Sequence, residues 1–250
     1  MAKGAIAVGV AAATMAPAQL LLQRAWPAAP PHLPRLFHRT LLRGLGVRVV
    51  MQGQPARRQG VLFVSNHLSW LDIPTLGSRL LGEFVAKAEV AAMGPVGWFA
   101  SLQRTIYVDR ERRHRTGEQR NAIAQRLMAG ANVILFPEGT TGSGIGVLPF
   151  NSSLFAALEA VPDALVQPVS LAYTRIRGVP VTRRRLSEVV WLGETGIGEH
   201  ALDFLRLGRV QAEIICHEAV RADDFPDRKA LARHCQAQVT DGYIRLMRGA

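Results

Sequence analysis

The sequence predicts an α/β fold: a mostly parallel sheet covered by helices and preceded by an N-terminal pair of hydrophobic and amphipathic helices. Three observations lead to this fold class. Apolar runs of strand length alternate with helical windows between Val47 and Tyr173. An uncharged segment and a basic amphipathic segment precede them. The composition, 48% hydrophobic and 20% charged over 250 residues, suits one sizeable domain and excludes a disordered chain.

The first element is the uncharged segment from Gly4 to Gln23, which lies between Lys3 and Arg24. As a helix it is about 30 Å long, which is close to the thickness of a hydrocarbon core. Three interpretations fit it: a secretory signal peptide ending near "APA" (16–18), a membrane-spanning or half-inserted anchor, and a buried core helix. Its length favours the membrane anchor.

The second element is the segment "RLFHRTLLRGLG" (35–46), which follows a proline-rich break at 26–34. Its apolar residues lie on one helical face and its arginines on another. This pattern is typical of helices on anionic membrane surfaces, and the alternative is a helix packed on the domain with a solvated arginine face. We therefore expect residues 1–45 to form membrane-anchoring helices and residues 46–250 to form the α/β domain.

The remaining elements follow from apolar periodicity. The strands predicted up to Tyr173 are "VRVVMQG" (47–53), "VLFVS" (61–65), "EFVAK" (83–87), "TIYVD" (105–109), "NVILF" (132–136) and "ALVQPVSLAY" (164–173). Helices are predicted at 73–81, 117–130 and 152–160. Beyond Tyr173 the pattern predicts strands at 189–194 and 209–220 and a closing amphipathic helix over 224–248.

The net charge of +11, with 27 Arg against 3 Lys, predicts an anionic partner such as nucleic acid, anionic lipid, a nucleotide-bearing substrate or an acidic protein. The two cysteines, Cys216 and Cys235, imply no disulfide framework and are compatible with a reducing compartment. Each adjoins a histidine, but adjacent residues on a strand point to opposite faces and the spacing matches no standard zinc pattern. We expect no metal site.

The strongest candidate for chemistry is "NHLSWLD" (66–72), in which His67 and Asp72 lie five residues apart. On one helix their side chains would point about 140° apart. The segment instead joins a predicted strand to a predicted helix, where a turn can bring the two together. Such a pair can form a histidine base oriented by a carboxylate. The alternative is a structural histidine beside an apolar strand.

Two further segments suit substrate binding. The glycine-rich loop "FPEGTTGSG" (136–144) follows a predicted strand, and its backbone amides can approach an anion closely. It lacks the Walker spacing, and Glu138 alternatively caps a turn. A cluster of arginines begins at Arg110, directly after another predicted strand, on the side where α/β sheets bind ligands. The alternative for that cluster is a solvated face.

Together these segments resemble a known family. "NHLSWLD" matches an H-x4-D motif, "IYVDR" resembles a second block, "FPEGT" matches a third, and "VQPVSL" resembles a fourth, in the family's order. The chain from Val47 to about Tyr173 is similar to glycerolipid acyltransferases of the 1-acyl-sn-glycerol-3-phosphate acyltransferase type.

The resemblance implies roles for individual residues. His67 would take a proton from an acceptor hydroxyl as it attacks an acyl thioester, and Asp72 would hold the imidazole tautomer. The matching substrate-binding positions are Arg110, Glu138, Gly139 and Thr140, with Lys87 added from the strand that leads to the second block. No acyl-enzyme, metal or cofactor is implied. The co-substrate is acyl-CoA or acyl carrier protein.

The chain departs from the family at Thr141 and Asn151, where arginine and lysine are common. Both missing charges would face an acceptor phosphate. We place 1-acylglycerol 3-phosphate (lysophosphatidic acid) narrowly first as acceptor, which would give phosphatidic acid in phospholipid biosynthesis. Lyso-ornithine lipid or another lysophospholipid is the rival. The implied location is the cytoplasmic face of the cell membrane, with membrane lipids as partners.

The sequence supports two other kinds of function, nucleic-acid binding and thioester hydrolysis, less well than acyl transfer. A nucleic-acid-binding module expects stacking aromatics among its basic residues, but aromatics make up only 6% of the chain and Tyr107 alone lies within the densest arginine cluster. We therefore expect no nucleic-acid partner. A thioester hydrolase would use His67 and Asp72 on water, and products formed with and without a lysolipid would separate it from a transferase.

Overall fold

The computed structural model describes residues 2–26, 32–108, 116–193 and 196–249. The strands are β1 (Val47–Gln52), β2 (Val61–Ser65), β3 (Glu83–Lys87), β4 (Ile106–Val108), β5 (Val133–Leu135), β6 (Leu165–Ile176), β7 (Val179–Pro180), β8 (Val210–Cys216) and β9 (Val220–Arg221). The α-helices are α1 (Ala2–Ala25), α2 (His32–Gly44), α3 (Asp72–Gly77), α4 (Gly94–Leu102), α5 (Thr116–Met128), α6 (Ile197–Leu207) and α7 (Arg228–Arg248).

The strands in the described ranges form one sheet with the order β1-β8-β6-β2-β5-β3-β4, and β7 and β9 pair with β6. The β2–β5, β2–β6, β3–β5 and β3–β4 pairs are parallel, whereas β6 and β8 are antiparallel. The predicted α/β class with a mostly parallel sheet is therefore confirmed. Because β2, β5 and β3 are parallel, the loops after them lie at one edge of the sheet.

Helices cover both faces of this sheet, and successive residues of β2 show why. Val61 and Phe63 belong to a core shared with α2 and α3, whereas Leu62 and Val64 belong to a core shared with α5 and α7. A strand buried on both faces is a continuous apolar run, as "VLFVS" is. The fold thus holds β2 rigidly from both sides, directly before His67.

Most predicted elements are present, and one is wrong. The strands predicted up to Tyr173 all form, and the closing helix begins at Arg228. The strand predicted at 189–194 is absent in its described part, residues 189–193. The amides of Val189 and Val190 both donate to the Leu186 carbonyl, in a turn that follows the 3₁₀ segment Arg183–Glu188. Segment 152–160 is also a 3₁₀ helix.

The N-terminal helices are packed on the domain. The side-chain amides of Gln19 and Gln23 in α1 donate to the Leu102 carbonyl at the end of α4 (3.1 and 2.7 Å). In α2, Leu42 is buried in the sheet core. Among the described residues, no helix has the length and apolar character needed to cross a membrane. The division of the chain at residue 46 stays a prediction.

Candidate active site

The turn between β2 and α3 brings His67 and Asp72 together. The His67 Nδ1 lies 2.7 Å from Asp72 Oδ2, and the same oxygen accepts the backbone N–H groups of Leu68 (2.5 Å) and Ser69 (2.9 Å). The other oxygen, Oδ1, accepts the Tyr173 hydroxyl at 2.6 Å. A fully buried carboxylate is costly unless it is paired and hydrogen-bonded, and these donors supply that compensation.

Tyr173 was not singled out from the sequence as a site residue. It lies on β6, which pairs with β2 in parallel, so that the extended β6 runs past the end of β2 and over the turn. Burial and the Asp72 charge raise the pKa of Tyr173 well above 10. The phenol therefore stays protonated and donates to Asp72 at any physiological pH.

The imidazole of His67 is held by more than Asp72. It stacks on the Phe136 ring, with centroids 4.0 Å apart and an interplanar angle of 15°. The His67 carbonyl accepts the Gly142 N–H (2.8 Å), and its own N–H donates to Glu138 Oε1 (2.9 Å). The residue is thus fixed through its ring and through both backbone polar groups.

Glu138 joins two loops. One carboxylate oxygen accepts from His67 and the other accepts the Leu148 N–H at 3.2 Å. Burial raises the pKa of Glu138 to about 7, although the two backbone hydrogen bonds oppose this shift. The carboxyl group therefore fixes the position of the histidine loop against the glycine-rich loop.

A cleft of about 370 Å³ lies over the histidine. His67, Lys87, Gly139 and Thr140 all line it, together with Thr141. Much of the remaining wall is apolar and includes Trp70, Ile73, Met93, Val96, Trp191 and Leu192. Arg110, the other predicted binding residue, lies outside the described residues. A mostly apolar cleft with a few polar groups suits an acyl-bearing ligand.

The wall of the cleft formed by Trp70, Trp191 and helix α6 was not predicted. Trp70 Nε1 donates to His200 Nδ1 (3.0 Å), and His200 Nε2 donates to the Val190 carbonyl (3.2 Å). Trp191 N–H donates to the Leu68 carbonyl at 2.9 Å. Helix α6 and the segment before it therefore close the site from a part of the chain distant in sequence.

Comparison with known proteins identifies the family. The family model described as Acyltransferase matches residues 47–172. A Lyso-ornithine lipid O-acyltransferase of Brucella abortus is 41% identical over 213 residues, covering 83% of this chain and 80% of that protein. The chain belongs to the acyltransferase family. It is an enzyme, and the resemblance inferred from its motifs is confirmed.

Two further similarities bear on this acyltransferase. A 1-acyl-sn-glycerol-3-phosphate acyltransferase of Neisseria gonorrhoeae is 34% identical over 136 residues, covering 54% of this chain and 52% of that protein. The crystal structure of PlsC, the 1-acyl-sn-glycerophosphate (LPA) acyltransferase of Thermotoga maritima, superposes with a TM-score of 0.62 at 23% identity. It covers 85% of this chain and 77% of that one, and it shows that the fold is shared.

Proposed function

We propose that this acyltransferase moves a fatty acyl chain from a thioester donor to a free hydroxyl of a lysolipid, with His67 as general base. The observation that supports it best is the His67–Asp72 pair at 2.7 Å, lining an apolar cleft. Because Asp72 accepts Nδ1–H, the lone pair of Nε2 is available to an acceptor hydroxyl.

In the proposed reaction, Nε2 takes the hydroxyl proton while the acceptor oxygen attacks the thioester carbonyl carbon. The new ester C–O bond forms, the C–S bond breaks, and the imidazolium returns the proton to the departing thiolate. Asp72 stabilises the imidazolium without accepting the proton, as in a hydrolase triad that lacks its nucleophile. This reaction uses neither a metal nor a cofactor.

Neither cysteine has a role in this scheme. Burial raises the pKa of Cys216 to about 11 and that of Cys235 to about 12. Both are therefore thiols at neutral pH, and a thiol is a poor nucleophile. This supports direct transfer without an acyl-cysteine intermediate.

For the acceptor we propose lyso-ornithine lipid as the first candidate. Thr141 lines the cleft without a charge, and the Asn151 side chain accepts the Ser153 N–H at the start of a 3₁₀ helix. Lys87 and Glu89 place one positive and one negative side chain at the cleft. An ornithine headgroup offers an amine and a carboxylate to such a pair, whereas a phosphate dianion would be repelled by Glu89.

Lysophosphatidic acid, which the sequence placed narrowly first, is kept as the second candidate. The matched relative from Neisseria gonorrhoeae has that acceptor in its name. The relative from Brucella abortus, with higher identity over more of the chain, is the reason for reversing the order. Both acceptors present a free hydroxyl to the same base.

The base is tested with the purified full-length protein, a fatty acyl thioester and lyso-ornithine lipid. We expect His67→Ala to lower kcat by on the order of 10²–10⁴-fold, because the base acts in the chemical step. His234→Ala, on the outer helix α7, is the matched control and should leave the rate unchanged. A folded His67→Ala enzyme of normal activity would refute the mechanism, and free fatty acid as the main product would indicate a hydrolase.

The acceptor is tested with Thr141→Arg and Glu89→Gln. If lyso-ornithine lipid is native, the double variant should shift the kcat/KM ratio towards lysophosphatidic acid by tenfold or more, since it adds one charge-assisted bond and removes one repulsion. Glu218→Gln, an exposed glutamate outside the cleft lining, is the control. If the wild-type enzyme acylated lysophosphatidic acid and not lyso-ornithine lipid, lysophosphatidic acid would be the acceptor and the first proposal would be wrong.

We further propose that the enzyme works at a membrane surface through α1 and α2. Leu20 and Leu21 are 45% and 67% exposed on α1, and Leu36 on α2 is 45% exposed. A lysolipid acceptor resides in the bilayer, so an apolar surface beside the domain suits interfacial docking. The cytoplasmic face of the cell membrane remains the proposed location.

A further inference from the structure

A second cavity, of about 640 Å³, lies where β1 and β8 begin and β6 ends. It shares no described lining residue with the active-site cleft. Its charged lining consists of five arginines: Arg43, Arg48, Arg175, Arg177 and Arg209. We call this cavity the arginine groove.

The sheet register aligns part of this charge. Arg48 on β1 is paired with Gln211 on β8, and Gln211 is paired with Arg175 on β6. Residues directly opposite on neighbouring strands share a face of the sheet, so the two arginines flank one glutamine about 10 Å apart. The register therefore places two long cationic side chains on one face of the sheet, within reach of a single anionic ligand.

No described acid neutralises the groove by direct contact. Within the described ranges, none of the five guanidinium groups forms an ion pair within 4.0 Å. Glu213, on the same face of β8 as Gln211, accepts instead from Thr174 and Gln211. Two arginines are held by backbone carbonyls: Arg177 by those of Arg206 and Leu207, and Arg175 by that of Gly178.

Helix α6 connects the arginine groove to the active site. Ile197, its first residue, lines the cleft, and the carbonyls of Arg206 and Leu207 at its other end hold Arg177. The helix has 11 residues. At 1.5 Å per residue the two sites are therefore about 16 Å apart along it.

We propose that the arginine groove binds the phosphate groups at the nucleotide end of an acyl-CoA donor, an inference that rests on the proposed function. Acyl-CoA has a diphosphate and a 3′-phosphate at one end and its thioester at the end of a long flexible arm. Arginine binds phosphate oxygens bidentately, and the cavity has the volume of a small-ligand site. When extended, such an arm is long enough to cover the length of α6 between the groove and the cleft.

Two other anionic partners suit the groove less well. A flat anionic bilayer would also meet the exposed carboxylate of Asp203, three residues before Arg206, whose carbonyl holds Arg177. An acidic carrier protein presents carboxylates spread over its surface, whereas the phosphate groups of coenzyme A carry their negative charge close together, as a cluster of arginines requires. Both partners are therefore outcomes that would overturn the proposal.

The test uses the purified full-length protein and titration calorimetry with adenosine 3′,5′-bisphosphate and with coenzyme A. We expect Arg48→Gln/Arg175→Gln to weaken both by at least about tenfold and to raise KM for acyl-CoA rather than lower kcat. Arg183→Gln/Arg184→Gln is the control, because it removes the same charge from exposed positions outside the groove lining. It should leave both ligand affinities and the KM for acyl-CoA unchanged. Arg48→Lys/Arg175→Lys keeps the charge without the bidentate geometry and should be intermediate.

Unchanged bisphosphate binding in the glutamine variant would overturn the proposal. The proposal would also be overturned if this variant lost binding only to acyl carrier protein or only to phosphatidylglycerol vesicles. If the protein acylates no lysolipid and yet binds the bisphosphate through Arg48 and Arg175, the groove stands and the proposed function fails. If transfer to lysolipid proceeds and the groove variant behaves as wild type, only the groove inference fails.

Discussion

At the scale of single residues, Asp72 is the most constrained group of the site. Its Oδ2 accepts from an imidazole and two backbone amides, and its Oδ1 accepts from Tyr173. These bonds fix the direction of the carboxylate, so the imidazole is held before any substrate arrives. Preorganisation of this kind reduces the reorganisation needed during the reaction.

Tyr173→Phe removes one of these donors without changing the size of the ring. We expect the free energy of unfolding to fall by about 1–3 kcal/mol, because Oδ1 of a buried carboxylate loses a hydrogen bond. We also expect a lower kcat with KM for the acceptor retained, since Tyr173 acts through Asp72. Urea denaturation and steady-state kinetics measure the two effects. Tyr107→Phe is the control, because the Tyr107 hydroxyl bonds only to Ser101 and Gly97 among the described groups. An unchanged free energy of unfolding would contradict the importance of this bond.

At the scale of elements, the sequence predicts contacts that a single turn creates and misses those that the sheet creates. His67 and Asp72 meet within one strand–turn–helix junction, so their spacing is informative. Tyr173 reaches Asp72 only because β6 pairs with β2, which no local pattern reveals. Val189 and Val190 have the β-branched composition of a strand, but the turn after Leu186 leaves them without a neighbouring strand. The wall formed by Trp191 and α6 was not predicted either, because it depends on contacts with Leu68 and Trp70, which are far away in the sequence.

The loop contact made by Glu138 gives a pH-dependent prediction. Its pKa is about 7 in the fold against 4.5 ordinarily, so the folded protein binds its proton more tightly than the unfolded chain. The resulting stability is fully present below about pH 4.5 and is lost as the pH rises through 7. We expect the stability of wild type relative to Glu138→Gln to fall by about 2–3 kcal/mol between pH 5 and pH 8.

Urea denaturation at the two pH values measures this difference. The variant is expected to be less stable at pH 5, because the glutamine amide cannot accept from Leu148 while its oxygen accepts from His67. Glu218→Gln is the matched control and should leave the pH dependence of wild type unchanged. Parallel pH profiles for wild type and Glu138→Gln would show that Glu138 is not the group responsible.

The N-terminal helices give a prediction about membrane docking. Deleting residues 1–45 would expose the core by removing Leu42, so point substitutions are the cleaner test. Leu20→Glu/Leu21→Glu changes only exposed apolar positions and should reduce binding to phospholipid vesicles by tenfold or more. Met128→Glu/Ile244→Glu alters exposed apolar residues on α5 and α7 and is the control in vesicle sedimentation. Equal binding of both variants would contradict docking through α1.

At the scale of the whole molecule, charge and apolar surface are arranged for an enzyme with amphiphilic substrates. The chain has 30 basic and 19 acidic residues, so its net positive charge attracts anions. The cleft and the arginine groove both lie towards the carboxyl end of β6 and are joined by α6. Long-range attraction depends on the sum of the charges, whereas binding in the arginine groove would depend on particular arginines.

This difference gives a prediction for the intact protein. Binding to vesicles containing phosphatidylglycerol should weaken severalfold between 50 and 500 mM NaCl, because screening shortens the reach of surface charges from about 14 Å to about 4 Å. Arg183→Gln/Arg184→Gln and Arg48→Gln/Arg175→Gln should weaken it equally, since each removes two charges from the same field. Vesicle sedimentation across the salt series measures both effects, with phosphatidylcholine vesicles as the uncharged control. Binding that is independent of salt would show that apolar insertion, rather than net charge, brings the enzyme to its lipid substrate.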